Sequence, residues 1–177
     1  MQSPGELPIL LWVNAEAQRL ISKLGLVPLP KEGGFYAPAW TSPQVLPGGR
    51  AFGSAILFLL TDADFSALHR LQTDEIWHFH GGDPAELVQI EPASGSCRTS
   101  ILGPDVGGAH APHAVVKAGI WQGARLRPDA GSGARGWALL GCTLAPAWDE
   151  REFELGRRES LLREFPAHAG IIRALTR

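Results

Sequence analysis

Eighteen consecutive residues, FSALHRLQTDEIWHFHGG at positions 65–82, carry three of the chain's six histidines together with Asp74, Glu75 and Trp77. Imidazoles and carboxylates bind metals, move protons near neutral pH and orient polar ligands. The segment EIWHFH (75–80) is β-branched and aromatic, so it is predicted to be a strand. Strand side chains alternate between faces. Glu75, Trp77 and Phe79 therefore share one face, and Ile76, His78 and His80 the other, unless a bulge intervenes. His69 lies six residues before Glu75, across a short turn that could return both to one cavity. A neutral imidazole held by a carboxylate can act as a general base near pH 7. A glutamate facing an interior needs hydrogen bonds or a partner and commonly has a raised pKa. His69 and Glu75 are thus the first candidates for chemistry. His78 and His80, opposite by parity, belong at a sheet or dimer interface, and reach a ligand site only if a bulge at Trp77 rotates the strand.

Other residues could line a pocket. Phe35, Tyr36, Trp77 and Trp121 offer ring faces for stacking, and the Tyr36 phenol adds a polar handle that could serve as an acid. Gln122 can orient a ligand hydroxyl through its amide donor and acceptor. Arg50, just before an apolar run, could bind an anionic group at a cavity mouth. Asp149 and Glu154 read as residues at the start of helices.

The elements that must hold these groups are mostly short strands. Asn14 is placed to cap a helix to about Leu24, with Ala17, Leu20, Ile21 and Leu24 at helical spacing and Gly25 ending it. The run AFGSAILFLLTD (51–62) is apolar enough for a central strand. Residues 85–92 and 95–102 read as a hairpin turning through 92–96. Residues 103–113 are a loop, 114–126 a strand, tight turn and strand, 128–136 a surface loop, and 137–146 a further buried strand. The tail from Asp149 is expected to form two short helices, interrupted near Gly156 and Pro166, with Leu161, Leu162, Phe165, Ile171, Ile172 and Leu175 facing the body. Eight to ten strands at this spacing, punctuated by 21 glycines and 14 prolines, must close a barrel or stack two sheets to hide their edges. The expected fold is all-β, a jelly roll.

At 177 residues the chain fits one domain, with the core at about 33–147 and the helical tail at about 149–176. A net charge of −2 without basic runs argues against nucleic acid or a membrane surface as partner. The apolar segment 7–13 lacks the basic start of a signal peptide and is too short to span a bilayer, so it is read as a strand or interaction segment of a cytoplasmic protein. Cys97 and Cys142, without CxxC spacing, are expected to be buried free thiols.

His69-x-Leu71-x-x-x-Glu75 followed by Gly81 resembles the first motif of the cupin superfamily, and KAGIWQ at 117–122 resembles the second. GGFY, AILFLL, SALHRL-x-x-DEIWHFH, VV-x-AG-x-WQ, GCT-x-AP and FEL-x-x-R together resemble the fifth cupin family, single-domain cupins of unknown function, over about residues 20–176. The resemblance implies a jelly-roll β-barrel, usually a homodimer, similar to sugar-nucleotide epimerases, with no established activity. Where metal-binding cupins offer His, His, Glu and His, this chain has His69, Leu71, Glu75 and Gln122. Leucine cannot ligate and an amide oxygen is a weak ligand, so no cofactor is expected. Were a divalent metal bound, His69, Glu75 and Gln122 would be its ligands. Lys117 stands where the second motif has proline. PLPKEGG stands where relatives read PHPEGG, and the loop before Gly33 is assigned no role.

Three functions compete. The first is a metal-independent isomerase or epimerase acting on a small polar, sugar- or nucleotide-like substrate, with His69 as base, Glu75 as its orienter and Tyr36 as acid. It rests on fold analogy. The second is a non-catalytic binding protein or sensor using the same pocket. The third is a metal-dependent oxygenase or hydrolase.

Overall fold

A computed structural model describes residues 13–127 and 133–177. Residues 7–12 of the expected N-terminal strand and 128–132 of the expected surface loop lie outside them. The Asn14 side chain accepts hydrogen bonds from the backbone N–H of Glu16 and Ala17, capping helix α1 (Ala15–Leu24), and Gly25 ends it at φ 63°. The apolar stripe buries Ala17 and Ile21, with Val13, against the outer face of a sheet that contributes Phe35, Leu59 and Trp137.

Among the described residues eleven strands form two antiparallel sheets. They are β1 (Val27–Pro28), β2 (Phe35–Thr41), β3 (Ser54–Thr61), β4 (Ser66–Arg70), β5 (Glu75–Gly82), β6 (Ala85–Ile90), β7 (Cys97–Leu102), β8 (His113–Val116), β9 (Trp121–Leu126), β10 (Trp137–Leu144) and β11 (Glu154–Leu155). One sheet runs β1-β2-β3-β10-β5-β8 and the other β11-β4-β9-β6-β7. The apolar run at 51–62 is indeed central, paired on both edges by β2 and β10. The expected hairpin is β6–β7. The turn after β8, with Gly119 at φ 80°, carries the chain from one sheet to the other. The architecture is a jelly roll.

Alternation decides what enters the space between the sheets. Phe58, Trp77, Leu87, Leu102, Val116 and Leu140 fill it, and Phe58 meets Trp77 edge to face at 5.7 Å. Each buried side chain of this size contributes about 1.5–3 kcal/mol. A bulge does interrupt β5, because Phe79 pairs with Leu140 and Gly81 with Leu139, leaving His80 as the extra residue. It falls beyond Trp77, so Glu75 and Trp77 keep the inward face.

The tail differs from two plain helices. Ahead of Gly156 it forms a 3₁₀ turn (Glu150–Glu152) capped by Asp149 and then β11, where Glu154 pairs with Arg70. Helices α2 (Arg158–Glu164) and α3 (Ala169–Ala174) follow. Leu161, Phe165, Ile172 and Leu175 bury against Leu68, Val88, Ile90 and Trp121 on the outer face of the second sheet. Cys142 is buried and Cys97 only half-buried, both as free thiols.

Candidate functional site

Between the sheets, at one end of the barrel, lies a cavity of about 510 Å³. Its walls are Leu29, Pro30, Tyr36, Ile56, Phe58, Leu71, Cys142 and Leu144. Glu32, His69 and Glu75 are sheltered ionisable groups on it, Lys31, Thr41, Ser54 and Glu150 add further polar lining, and Trp40, Trp148 and Phe153 stand with them around it. The inward face of β4 supplies His69, the first residue of β5 supplies Glu75, and the turn ahead of β2 supplies Glu32.

His69 is buried, at 2% exposure. Its Nδ1 lies 2.8 Å from the carbonyl oxygen of Ala67. A carbonyl only accepts, so Nδ1 carries the proton in the neutral ring and Nε2 is the free lone pair. Nε2 stands 3.9 Å from Glu32 Oε2, and Ser66 donates to Glu32 Oε1 at 2.7 Å. Phe153 stacks on the imidazole at 5.4 Å. The carboxylate beside His69 is therefore Glu32 and not Glu75. His69 and Glu75 face one cavity without bonding each other, which corrects the expected pairing.

The loop before Gly33, assigned no role from the sequence, thus supplies a site residue. Lys31 adopts φ 68°, and Gly33 and Gly34 follow at 101° and 70°. These left-handed residues flank Glu32, which lines the cavity. A Cβ at Gly33 would come within 2.4 Å of the Phe65 carbonyl oxygen, so only glycine fits there. An acidic residue directly before a Gly-Gly turn was the available signal.

Glu75 is 5% exposed and accepts from Gln122 Nε2 at 2.6 Å. Gln122 Oε1 in turn accepts from Trp77 Nε1 at 2.9 Å. Burial raises the Glu75 pKa from 4.5 to about 7, opposed by the charge His69 carries when protonated, reinforced by the Glu32 charge, and opposed again by hydrogen bonds from Gln122 and Cys142. The Cys142 thiol is itself pushed well above its usual value by burial and by the Glu75 and Glu32 charges, so it remains protonated and donates.

Tyr36 lines the cavity, half-buried. Several other candidates do not reach it. Phe35 points outward beneath α1, one strand position away from Tyr36. Trp121 points outward under the tail helices, with the Arg70 guanidinium 4.6 Å from its ring. Trp77 is buried behind Gln122 and anchors it. Gln122 has both amide ends engaged, so it holds Glu75 and is not free to meet a ligand hydroxyl. His78 and His80 lie on the outer face, rings stacked at 6.4 Å, as parity requires. His78 bonds Thr143, and burial, then His80 and His113, lower its pKa. Arg50 is consumed by Glu152, Thr73 and the Ala147 carbonyl, leaving no fork for an anion.

The residues present do not fit a catalytic metal. Leu71 presents an alkyl group to the cavity where the cupin motif has a ligand, and Gln122 Oε1 is turned to Trp77. Among the described residues no group of three or more His, Cys, Asp or Glu is arranged to hold one.

A jelly roll with a small-molecule-sized cavity between its sheets, built on these two motifs, defines a cupin barrel. The chain belongs to the Cupin superfamily family DUF985 (Cupin_5), whose model matches residues 18–156. A protein from Shewanella oneidensis is 32% identical with a TM-score of 0.82, covering 91% of this chain and 97% of its own. A hypothetical protein from Leishmania major is 30% identical with a TM-score of 0.82, covering 90% and 98%. A cupin 2 conserved barrel domain protein from Rhodopseudomonas palustris, 15% identical at a TM-score of 0.55 over 83% and 88%, shares the fold. No curated protein matches the chain. Among the described residues no helix is long and apolar enough to cross a membrane.

Proposed function

We propose that the barrel binds a small ring-bearing polar molecule and transfers a proton on it without a metal, as an isomerase or epimerase does. One observation carries this reading. A carboxyl group that is half-protonated near neutral pH and an imidazole with a free Nε2 face the same largely apolar cavity. Pairs of titratable groups held in different protonation states are how one site supplies both acid and base.

The chemistry balances with these groups. His69 Nε2 takes a proton from a carbon beside a carbonyl, and the electron pair moves onto the carbonyl oxygen. Neutral Glu75 donates a hydrogen bond to that oxygen, stabilising the enolate. Tyr36 returns a proton to the carbon from the other side and recovers it from solvent, while His69 releases its proton to solvent.

The test is deuterium exchange in heavy water, followed by proton NMR, across a panel of keto sugars. A carbon-bound proton lost with the wild-type protein and retained with His69→Ala supports the proposal. A ligand that stabilises the protein yet never exchanges would overturn the catalytic half and leave a binding or sensor protein.

A further inference from the structure

We propose that the ligand of this cavity is a small organic cation, an amine borne on a ring, and that Glu32 is the residue that recognises its ammonium group. The proposal rests on the reading of the cavity as a small-molecule site and names the ligand's charge.

Glu32 carries the argument. Its side chain is only 13% exposed, and among the described residues its carboxylate meets the Ser66 hydroxyl on Oε1 and His69 on the Oε2 side, while the Arg177 guanidinium bonds the Glu32 backbone carbonyl and the Asp64 carboxylate instead. Neither the hydroxyl nor the imidazole is a fixed cation. Lys31, the lysine on the cavity among the described residues, is at the rim and lies 3.5 Å from Glu150. Arg50 is engaged with Glu152, Thr73 and the Ala147 carbonyl. A largely sheltered carboxylate whose side chain has no Lys or Arg partner among the described residues is costly unless a cation arrives to meet it.

The arrangement around Oε2 points the same way. With Nδ1–H given to Ala67, Nε2 and Oε2 are two acceptors facing each other across 3.9 Å. Two lone pairs at that distance favour a donor placed against them. An ammonium hydrogen-bonded to Oε2 sets its neighbouring carbon beside Nε2, so Glu32 binds while His69 keeps its role as base.

The rim suits the same ligand. Trp40 and Trp148 stand half-exposed, at 51% and 52%, beside Tyr36 and Phe153 on the cavity. The Trp40 ring lies against Gly53, where a Cβ would come within 3.2 Å of it. Electron-rich ring faces attract cations and stack on rings.

Two matched sets test the charge: glucosamine, glucose and glucose 6-phosphate, and benzylamine, benzyl alcohol and benzoate. Binding to the full chain is followed by shifts of the tryptophan indole signals in NMR. The amine of at least one set should bind about tenfold or more tighter than its neutral and anionic partners, and Glu32→Gln should bring it to the level of the neutral compound. Equal or tighter binding of the neutral or anionic member would overturn the charge assignment while leaving the cavity a binding site. Failure of all six to bind up to their solubility limits would overturn both. Because the comparison among ligands is made on the wild type, it stands even if Glu32→Gln fails to fold.

Discussion

Replacing Glu75 with glutamine should remove a pH dependence of stability whose size follows from its burial. In the folded chain Glu75 titrates at about 7 rather than 4.5. A raised carboxylate pKa means the folded state keeps a proton that the unfolded chain gives up as the pH climbs past 4.5. Stability attached to this group is therefore fully present below the unfolded pKa, falls as pH rises through the window, and levels off above the folded pKa. At about 1.4 kcal/mol per pH unit, the window amounts to about 3 kcal/mol. Glutamine imitates the protonated acid, since its carbonyl can still accept from Gln122 Nε2. Urea denaturation of both proteins at intervals from pH 4 to 9 isolates the effect, because the remaining ionisable groups are common to both. The wild type should lose about 3 kcal/mol relative to Glu75→Gln between pH 4.5 and 7 and then run parallel to it. A difference that stays constant across that range would falsify the reasoning, because Glu75 would then be ionised in the fold as it is in the unfolded chain.

Three further outcomes follow from the same geometry. Trp77→Phe removes the donor that holds Gln122, at about 1–2 kcal/mol of stability, and should raise the Glu75 midpoint because its Gln122 bond loosens; an unchanged midpoint would show that Gln122 needs no anchor. Arg50→Ala should lower stability by about 1 kcal/mol, discounted for the partial exposure of the Arg50–Glu152 pair, and leave ligand binding intact; lost binding would restore Arg50 to the site. Treatment with a strong chelator should leave melting and ligand binding unchanged, because Leu71 and the engaged Gln122 deprive the motif of donors; a loss restored by zinc or manganese would contradict that.

Most of the fold was legible because strand alternation and turn chemistry are local. The Asn14 cap, the Gly25 stop, the β6–β7 hairpin and the buried face of the tail helices all follow from residues within a few positions of one another. Parity put His78 and His80 on the face opposite Glu75, and the bulge at His80 does not undo that separation. The site was legible only in part. His69, Glu75 and Tyr36 could be named, but the partner of His69 depends on a loop some 35 residues earlier, about as far from pattern reasoning as short chains allow. Trp121 and Gln122 illustrate the same limit. Their shared neighbourhood in sequence suggested one pocket, whereas alternation on β9 sends the first to the tail helices and the second to Glu75. Arg50 was read by residue type, and its three partners come from segments that only the folded chain brings together.

The central claim, an acid and a base held ready in one cavity, is tested most directly by an NMR pH titration of the wild-type protein with labelled glutamate side chains and histidine rings, assigned against Glu75→Gln and His69→Ala. The Glu75 carboxyl carbon should titrate near 7 while the neutral His69 ring carries its proton on Nδ1. A Glu75 midpoint near 4.5, or a His69 ring protonated on Nε2, would contradict it.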